Sequence, residues 1–197
     1  AVKFFEDIPW LYDRLNIPHG VDNDTFLKEL CNKGFKEKGL LTHANRKEYV
    51  ERGKMELAVF KELGFTDYVL LIWDIINYCH ETGIPVGPGR GSAAGSLVLF
   101  LIGITNIDPI KHGLYFERFV SKSRAKKTVV DGITYLDGSL LPDVDSDICY
   151  YKRRDVLRYI QTKFPARTCK ILTVNTLSGK LVLKEVVKTV LEYSEDE

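Results

Sequence analysis

The sequence predicts a mixed α/β or α+β domain, a mixed sheet with flanking helices, on three observations. Helical apolar stripes alternate along the chain with short extended runs. The run Ile84-Pro85-Val86 leads into the glycine–serine loop Gly87-Pro88-Gly89-Arg90-Gly91-Ser92-Ala93-Ala94-Gly95-Ser96, the turn between a strand and a helix. Farther along, Asp143, Asp145 and Asp147 alternate with Val144, Ser146 and Ile148, the period of a half-buried strand.

Taken in order, Asp24–Lys38 reads as an amphipathic helix with Phe26, Leu27, Leu30 and Cys31 on one face. A second helix runs from Asn45 to Leu63 and stops at Gly64. Its apolar positions are Met55, Val59 and Leu63, with Glu and Lys on the other side. Thr66–Thr82 is a strongly apolar third helix closing at Gly83, and Ile84-Pro85-Val86 is a short buried strand. The glycine–serine loop then opens a fourth helix, Ala93–Ile102. Asp108-Pro109 starts a turn, and Leu114–Phe119 is a compact aromatic segment. A basic run of Lys122, Arg124, Lys126 and Lys127 precedes Asp131-Gly132, which lies between two β-branched stretches and signals a hairpin. After the acidic strand come a helix at Lys152–Lys163 stopped by Pro165, a strand at Thr168–Thr173 and a last helix at Gly179–Tyr193.

Composition excludes several classes. The 197 residues suffice for one large domain or two small ones, and a net charge of +1 confines any basic patch to a local feature. Cys31, Cys79, Cys149 and Cys169 form no Cys-x-x-Cys pair, which speaks against structural zinc and for free thiols in a reducing compartment. The first residues lack the pattern of a secretory signal, and no apolar run approaches the roughly 20 residues that span a bilayer. The expectation is a soluble, cytoplasmic protein without membrane contact.

Two motifs carry chemistry. In the loop, glycines let backbone approach a ligand, helix N-terminal N–H groups face an anion, Ser92 and Ser96 offer hydroxyls, and Arg90 can pair bidentately with phosphate. It is neither a Walker A loop nor the dinucleotide fingerprint. On a strand, Asp143, Asp145 and Asp147 share one face, neighbours roughly 7 Å apart, and repel one another unless a divalent cation intervenes. An EF-hand loop is excluded because Ile148 and Arg154 stand where it needs Gly and Glu. A phosphate loop beside a divalent-metal platform serves phosphoryl or nucleotidyl transfer.

Pro88–Val98, Ile104–Pro109, Leu114–Phe119 and Pro142–Asp147, in this order and spacing, resemble the bacterial replicative DNA polymerases of the C family, the DNA polymerase III alpha subunits. The resemblance runs over roughly residues 45–190. It implies a polymerase beta-like nucleotidyltransferase palm at 45–174 with an insertion at 126–140, after a connecting segment and helix at 1–44, and the start of a thumb at 175–197. It implies Asp143 and Asp145 as catalytic metal ligands, Asp147 as an auxiliary acid, and Arg90, Gly91 and Ser92 at the triphosphate. The implied reaction is DNA-directed DNA synthesis, attack of a primer 3′-hydroxyl on a deoxynucleoside triphosphate with release of pyrophosphate. The implied cofactor is a pair of Mg²⁺ ions, with Mn²⁺ as a substitute. Primer–template DNA and deoxynucleoside triphosphates are the implied partners, with a sliding clamp and an exonuclease subunit for the full-length protein.

Around the start of the insertion, Lys122, Arg124, Lys126 and Lys127 are candidate contacts to the DNA backbone. The family's third catalytic aspartate lies beyond Glu197, so the isolated chain is expected to be inactive. Two other readings stand beside this one. One is a noncatalytic nucleotide- or nucleic-acid-binding module that reuses the palm. The other is a small nucleotidyltransferase with its third acid among Asp108, Asp131 and Asp137.

Overall fold

The structure, a computed structural model, describes residues 3–5, 14–120, 127–130, 133–137, 141–170, 172, 174, 176 and 178–191. Helix α1 (Asn23–Glu37) starts where Asp22 accepts a hydrogen bond from the Thr25 amide at 2.8 Å, a side-chain cap for an otherwise orphan donor. Helix α2 (Arg46–Leu63) ends at Gly64, whose φ of 71° is the left-handed stop that the sequence signals. Helix α3 (Thr66–Glu81) follows at once.

These helices close around α4 (Leu97–Leu101), a five-residue helix whose every side chain is buried. Both α1 and α2 pack directly on α4. The core takes Leu27 and Cys31 from α1, Val59, Phe60 and Leu63 from α2, and Val69 and Leu70 from α3. Phe60 meets Phe116 edge to face with centroids 5.6 Å apart, which brings the aromatic segment onto the same core. The buried stripe of α2 is Tyr49, Glu56, Val59, Phe60 and Leu63; Met55, expected in that stripe, is exposed.

The mixed sheet with flanking helices is overturned: the body is helical. The strands expected at Ile84–Val86 and along the acidic segment form no sheet and share one isolated antiparallel bridge, Val86↔Ile148. None of the described residues in Thr168–Thr173 is in a strand. Strand pairing among the described residues is otherwise confined to a small antiparallel sheet of β1 (Lys3–Phe5), β2 (Lys127–Val130) and β3 (Ile133–Asp137), in the order β1-β3-β2. β2 and β3 pair with Val130 opposite Ile133, on either side of Asp131-Gly132, which lie outside the described residues. The physical reason is one of partners. The apolar stripes of α1, α2 and α3 cover one another through α4, leaving no layer for a sheet to occupy. The helix expected at Ala93–Ile102 is also divided, into a 3₁₀ turn at Gly91–Gly95 and α4, with extended backbone at Ser96 between them.

Past a 3₁₀ turn at Tyr150–Lys152, helix α5 (Arg153–Lys163) completes the first of two compact units, Ala1–Ala166. The second, Arg167–Glu197, contains α6 (Gly179–Leu191), which exposes Leu181, Val182, Leu183, Val186 and Val190.

Candidate functional site

The fold brings the two sequence motifs edge to edge. Pro85–Gly87 runs antiparallel to Asp147–Cys149. The Gly87 amide donates to the Asp147 carbonyl at 2.7 Å, and the Cys149 amide donates to the Pro85 carbonyl at 3.1 Å. Beyond this zipper, Gly91 adopts φ 66°, a conformation that side chains resist, and a Cβ there would lie 3.6 Å from Asp145 Oδ2. The Asp145 carboxylate therefore borders the glycine loop. Arg90 Nε lies 3.4 Å from Asp147 Oδ1, an ion pair with both side chains mostly exposed. Asp147 thus takes Arg90 as its partner, and Arg118 is exposed nearby in sequence to the buried Phe119.

The acidic segment keeps its alternation without being a ladder strand. Asp143, Asp145 and Asp147 are exposed, whereas Val144, Ser146 and Ile148 are half-buried. Tyr68 of α3 anchors its start by donating from its hydroxyl to the Pro142 carbonyl at 2.8 Å. Burial pushes the Tyr68 phenol above its ordinary pKa, and the negative charges of Asp143 and Asp145 push it the same way. The downstream end is tied by α5. There Tyr159 donates to Asp74 of α3 at 2.9 Å, Lys163 pairs with the same carboxylate, and Tyr78 stacks on Tyr159 with centroids 3.8 Å apart.

The glycine–serine loop rests on a buried carboxylate. Glu56 of α2 is fully buried and accepts from Arg52 Nε at 2.6 Å, Ser96 Oγ at 2.8 Å, and the amides of Leu97 and Val98 at 3.0 Å each. Ser96 Oγ in turn accepts from the Leu99 amide at 3.2 Å. Arg52 also donates to the carbonyls of Gly95 and Leu114, at 2.8 and 3.2 Å. Burial raises the Glu56 pKa while the four donors pull it down, and a set of donors alone is the environment of a carboxylate. The first amides of α4, expected to face an anion, are therefore already occupied by Glu56 and Ser96, and Ser96 is not a hydroxyl available to a ligand. Of the expected phosphate residues, Arg90 and Gly91 are exposed and Ser92 is half-buried.

Sequence reasoning placed Glu56 on the polar side of its helix. Its position in the stripe seven residues after Tyr49 and three before Val59 is the signal that could have found it. Tyr68, on the helix that the sequence marks only as strongly apolar, anchors the acidic segment through its hydroxyl. Lys122, Arg124 and Lys126 lie outside the described residues; Lys127 begins β2, its side chain outside the description. Of the acids weighed as a third member, Asp108 is committed to Tyr49 at 2.6 Å and to the amides of Ile110 and Lys111. Asp131 lies outside the described residues, and Asp137 is placed in β3 opposite Lys3.

Solvent-facing carboxylates of Asp143 and Asp145 suit a hard divalent cation, which takes oxygen ligands and fills its remaining positions with water or phosphate. They fit as part of a site: among the described residues no three His, Cys, Asp or Glu side chains converge to hold a metal.

Helical body, acid-lined edge and glycine–serine loop define a domain that presents paired carboxylates against an exposed, glycine-rich backbone. Residues 25–197 match the bacterial DNA polymerase III alpha NTPase domain, and the chain belongs to that family. It is 37% identical over 197 residues to the DNA polymerase III subunit alpha of Aquifex aeolicus, covering 98% of this chain and 16% of that protein. It is 38% identical over 170 residues to the Bacillus subtilis subunit, covering 86% and 14%. With the Chlamydia trachomatis subunit the identity is 40% over 179 residues, covering 85% and 13%. The chain thus spans about a sixth or less of the length of the curated relatives it matches.

Proposed function

We propose that this chain is part of a DNA-directed DNA polymerase, the part that holds two metal-ligating aspartates against the phosphates of an incoming deoxynucleoside triphosphate. The observation that carries this reading is the contact between the two motifs: the Asp145 carboxylate lies 3.6 Å from where a Gly91 Cβ would stand. Asp143 and Asp145 hold the divalent ions, Mg²⁺ or Mn²⁺. When bound, such ions would lower the pKa of a primer hydroxyl and offset the charge of the triphosphate. Gly91 admits phosphate oxygens close to the backbone, and Ser92 donates its hydroxyl to them. Arg90 exchanges its exposed pair with Asp147, worth at most about 1 kcal/mol, for the more strongly charged phosphate. Asp147, released, remains an auxiliary acid at the edge of the site. Tyr68 and Glu56 touch no substrate; they position the acidic segment and the loop. Primer–template DNA, a sliding clamp and an exonuclease subunit are the partners this reading assigns to the whole protein, in the cytoplasm. No helix among the described residues is long and apolar enough to cross a membrane.

The decisive experiment is a titration of this chain with deoxynucleoside triphosphate in Mn²⁺ and in chelator. Metal-dependent binding, lost in Asp143→Asn and Asp145→Asn, is the expected result. Binding indifferent to metal and to both substitutions would instead favour a noncatalytic nucleotide-binding module. That reading draws on the absence of a three-carboxylate group among the described residues. For the same reason, primer extension by residues 1–197 alone is expected to be undetectable. Extension abolished by Asp145→Ala would overturn that expectation.

A further inference from the structure

We infer that the ridge formed by Tyr150, Tyr151 and the first turns of α5 is a docking surface for single-stranded nucleic acid, a reading that rests on the proposed polymerase function for the class of ligand. Tyr150 and Tyr151 are 81% and 89% exposed, an unusual state for two large aromatic side chains in succession. Their rings lie 5.8 Å apart at 81°, so they offer two faces in different directions rather than covering each other. Lys152, Arg153, Arg154 and Arg158 follow, all exposed. Lys152 pairs with Asp155 at 3.5 Å, whereas Arg153, Arg154 and Arg158 form no ion pair with a described residue.

Cations in the first turn of a helix run against its dipole, which favours negative charge there. The cluster therefore sits where local stability disfavours it, and an anionic ligand relieves that cost. A groove of about 440 Å³ runs from this ridge to the candidate site. Its lining joins the apolar Ile148, Val156 and Ile160 to Tyr150 and Arg153 of the ridge and to Arg90 and Asp147 of the candidate site. Aromatic faces beside guanidinium groups and apolar lining residues match an unpaired base with its phosphate. Arg153, Arg154 and Arg158 bring three positive charges that no described carboxylate offsets, which complements a phosphate backbone. The geometry places an unpaired strand alongside the acidic segment, leaving that segment itself open.

The test is fluorescence anisotropy of a labelled oligothymidylate with this chain and two double variants, over a salt series. Replacing Tyr150→Ala and Tyr151→Ala together is expected to weaken binding by about tenfold or more with the salt slope unchanged. Replacing Arg153→Gln and Arg154→Gln is expected to lower the salt slope by about one for each phosphate no longer neutralised. All four side chains are exposed, and circular dichroism checks that the variants fold. The inference is overturned by no binding by the parent chain, by oligonucleotide affinity in the tyrosine variant equal to the parent's, or by blunt duplex competing as well as single strand. An effect of the tyrosine variant on self-association alone likewise overturns it. The Mn²⁺–deoxynucleotide titration of the same proteins separates the two readings. Retained nucleotide binding with unchanged oligonucleotide affinity removes the ridge and leaves the polymerase reading standing. The converse result removes the polymerase reading alone.

Discussion

Glu56 shows how one side chain can shape a site without belonging to it. Its two oxygens collect four donors, from Arg52, Ser96, Leu97 and Val98, and so fix the end of the glycine–serine loop to α2. Glu56→Gln replaces one acceptor by a donor facing donors. The expected loss is about 3 kcal/mol of unfolding free energy, in the range for breaking a buried pair. Ser96→Ala removes a helix cap and should cost about 1 kcal/mol. Urea titrations of the three proteins check both, and a Glu56→Gln chain as stable as the parent would refute the clamp. Gly95→Ala tests the same region from the other side. A Cβ there would lie 2.6 Å from the Tyr115 carbonyl, a backbone atom that cannot swing away, so a loss of about 1–3 kcal/mol is expected. At this scale the sequence was half legible. Asp143, Asp145 and Asp147 could be read because a period of two writes exposure into neighbouring letters, and they are exposed as that period requires. Glu56 was marked only by its place in the stripe, because Ser96, Leu97 and Val98, which supply the other donors beside Arg52, come from about forty positions away.

Between elements, α5 matters because it continues directly from the acidic segment. Its hold on α3 is polar: Asp74 receives Tyr159 and Lys163 while Tyr78 stacks against Tyr159. Lys163→Met leaves Asp74 with the Tyr159 bond alone, and Asp74→Asn leaves Lys163 without its counter-charge. A double-mutant cycle should show each single change costing about 2–4 kcal/mol and the pair costing clearly less than their sum. Additive costs would mean that the two side chains are neighbours without coupling. The helices were the legible elements. α1, α2 and α3 carry long apolar stripes and a glycine stop at Gly64, so their bounds fall close to those read from the sequence. The sheet was misread for a reason of the same kind. Ile84–Val86 and the acidic segment have the composition of strands, but a strand is completed by its neighbours, and each finds here a single bridge. The divided helix around Ser96 is a second case: only the carboxylate beneath it shows why the backbone extends at that residue.

For the molecule as a whole, the buried ionisable groups make a joint prediction about pH. Burial holds the Cys31 thiol up at about 12, with the charge of Glu56 acting in the same direction. Tyr49, Tyr68 and Tyr159 are raised as well, chiefly by burial, Tyr49 and Tyr159 further by the carboxylates of Asp108 and Asp74 that they donate to. These groups come from α1, α2, α3 and α5, so they report on the whole helical unit. Each is neutral when protonated, and each holds its proton more tightly folded than unfolded. Their contribution is therefore complete below the unfolded values, near 9 for the thiol and 10 for the phenols. Between those values and the folded ones the unfolded chain releases protons that the folded chain keeps, so stability falls as pH rises. Urea midpoints should be level at about pH 8 and drop steadily above about pH 9, before any one phenol has titrated in the folded state. A midpoint flat to about pH 11 would show that these groups are not buried as described. Thiol labelling gives an independent check. Cys169 is exposed and should react readily with a disulfide reagent near neutral pH, whereas Cys31 and Cys79, both buried, should react at a rate set by unfolding. Urea that speeds the slow thiols in step with loss of helical signal would identify opening of the helical unit as the event that exposes them. Labelling of Cys31 as fast as Cys169 in the folded chain would remove the closed core around α4 on which the position of the glycine–serine loop depends.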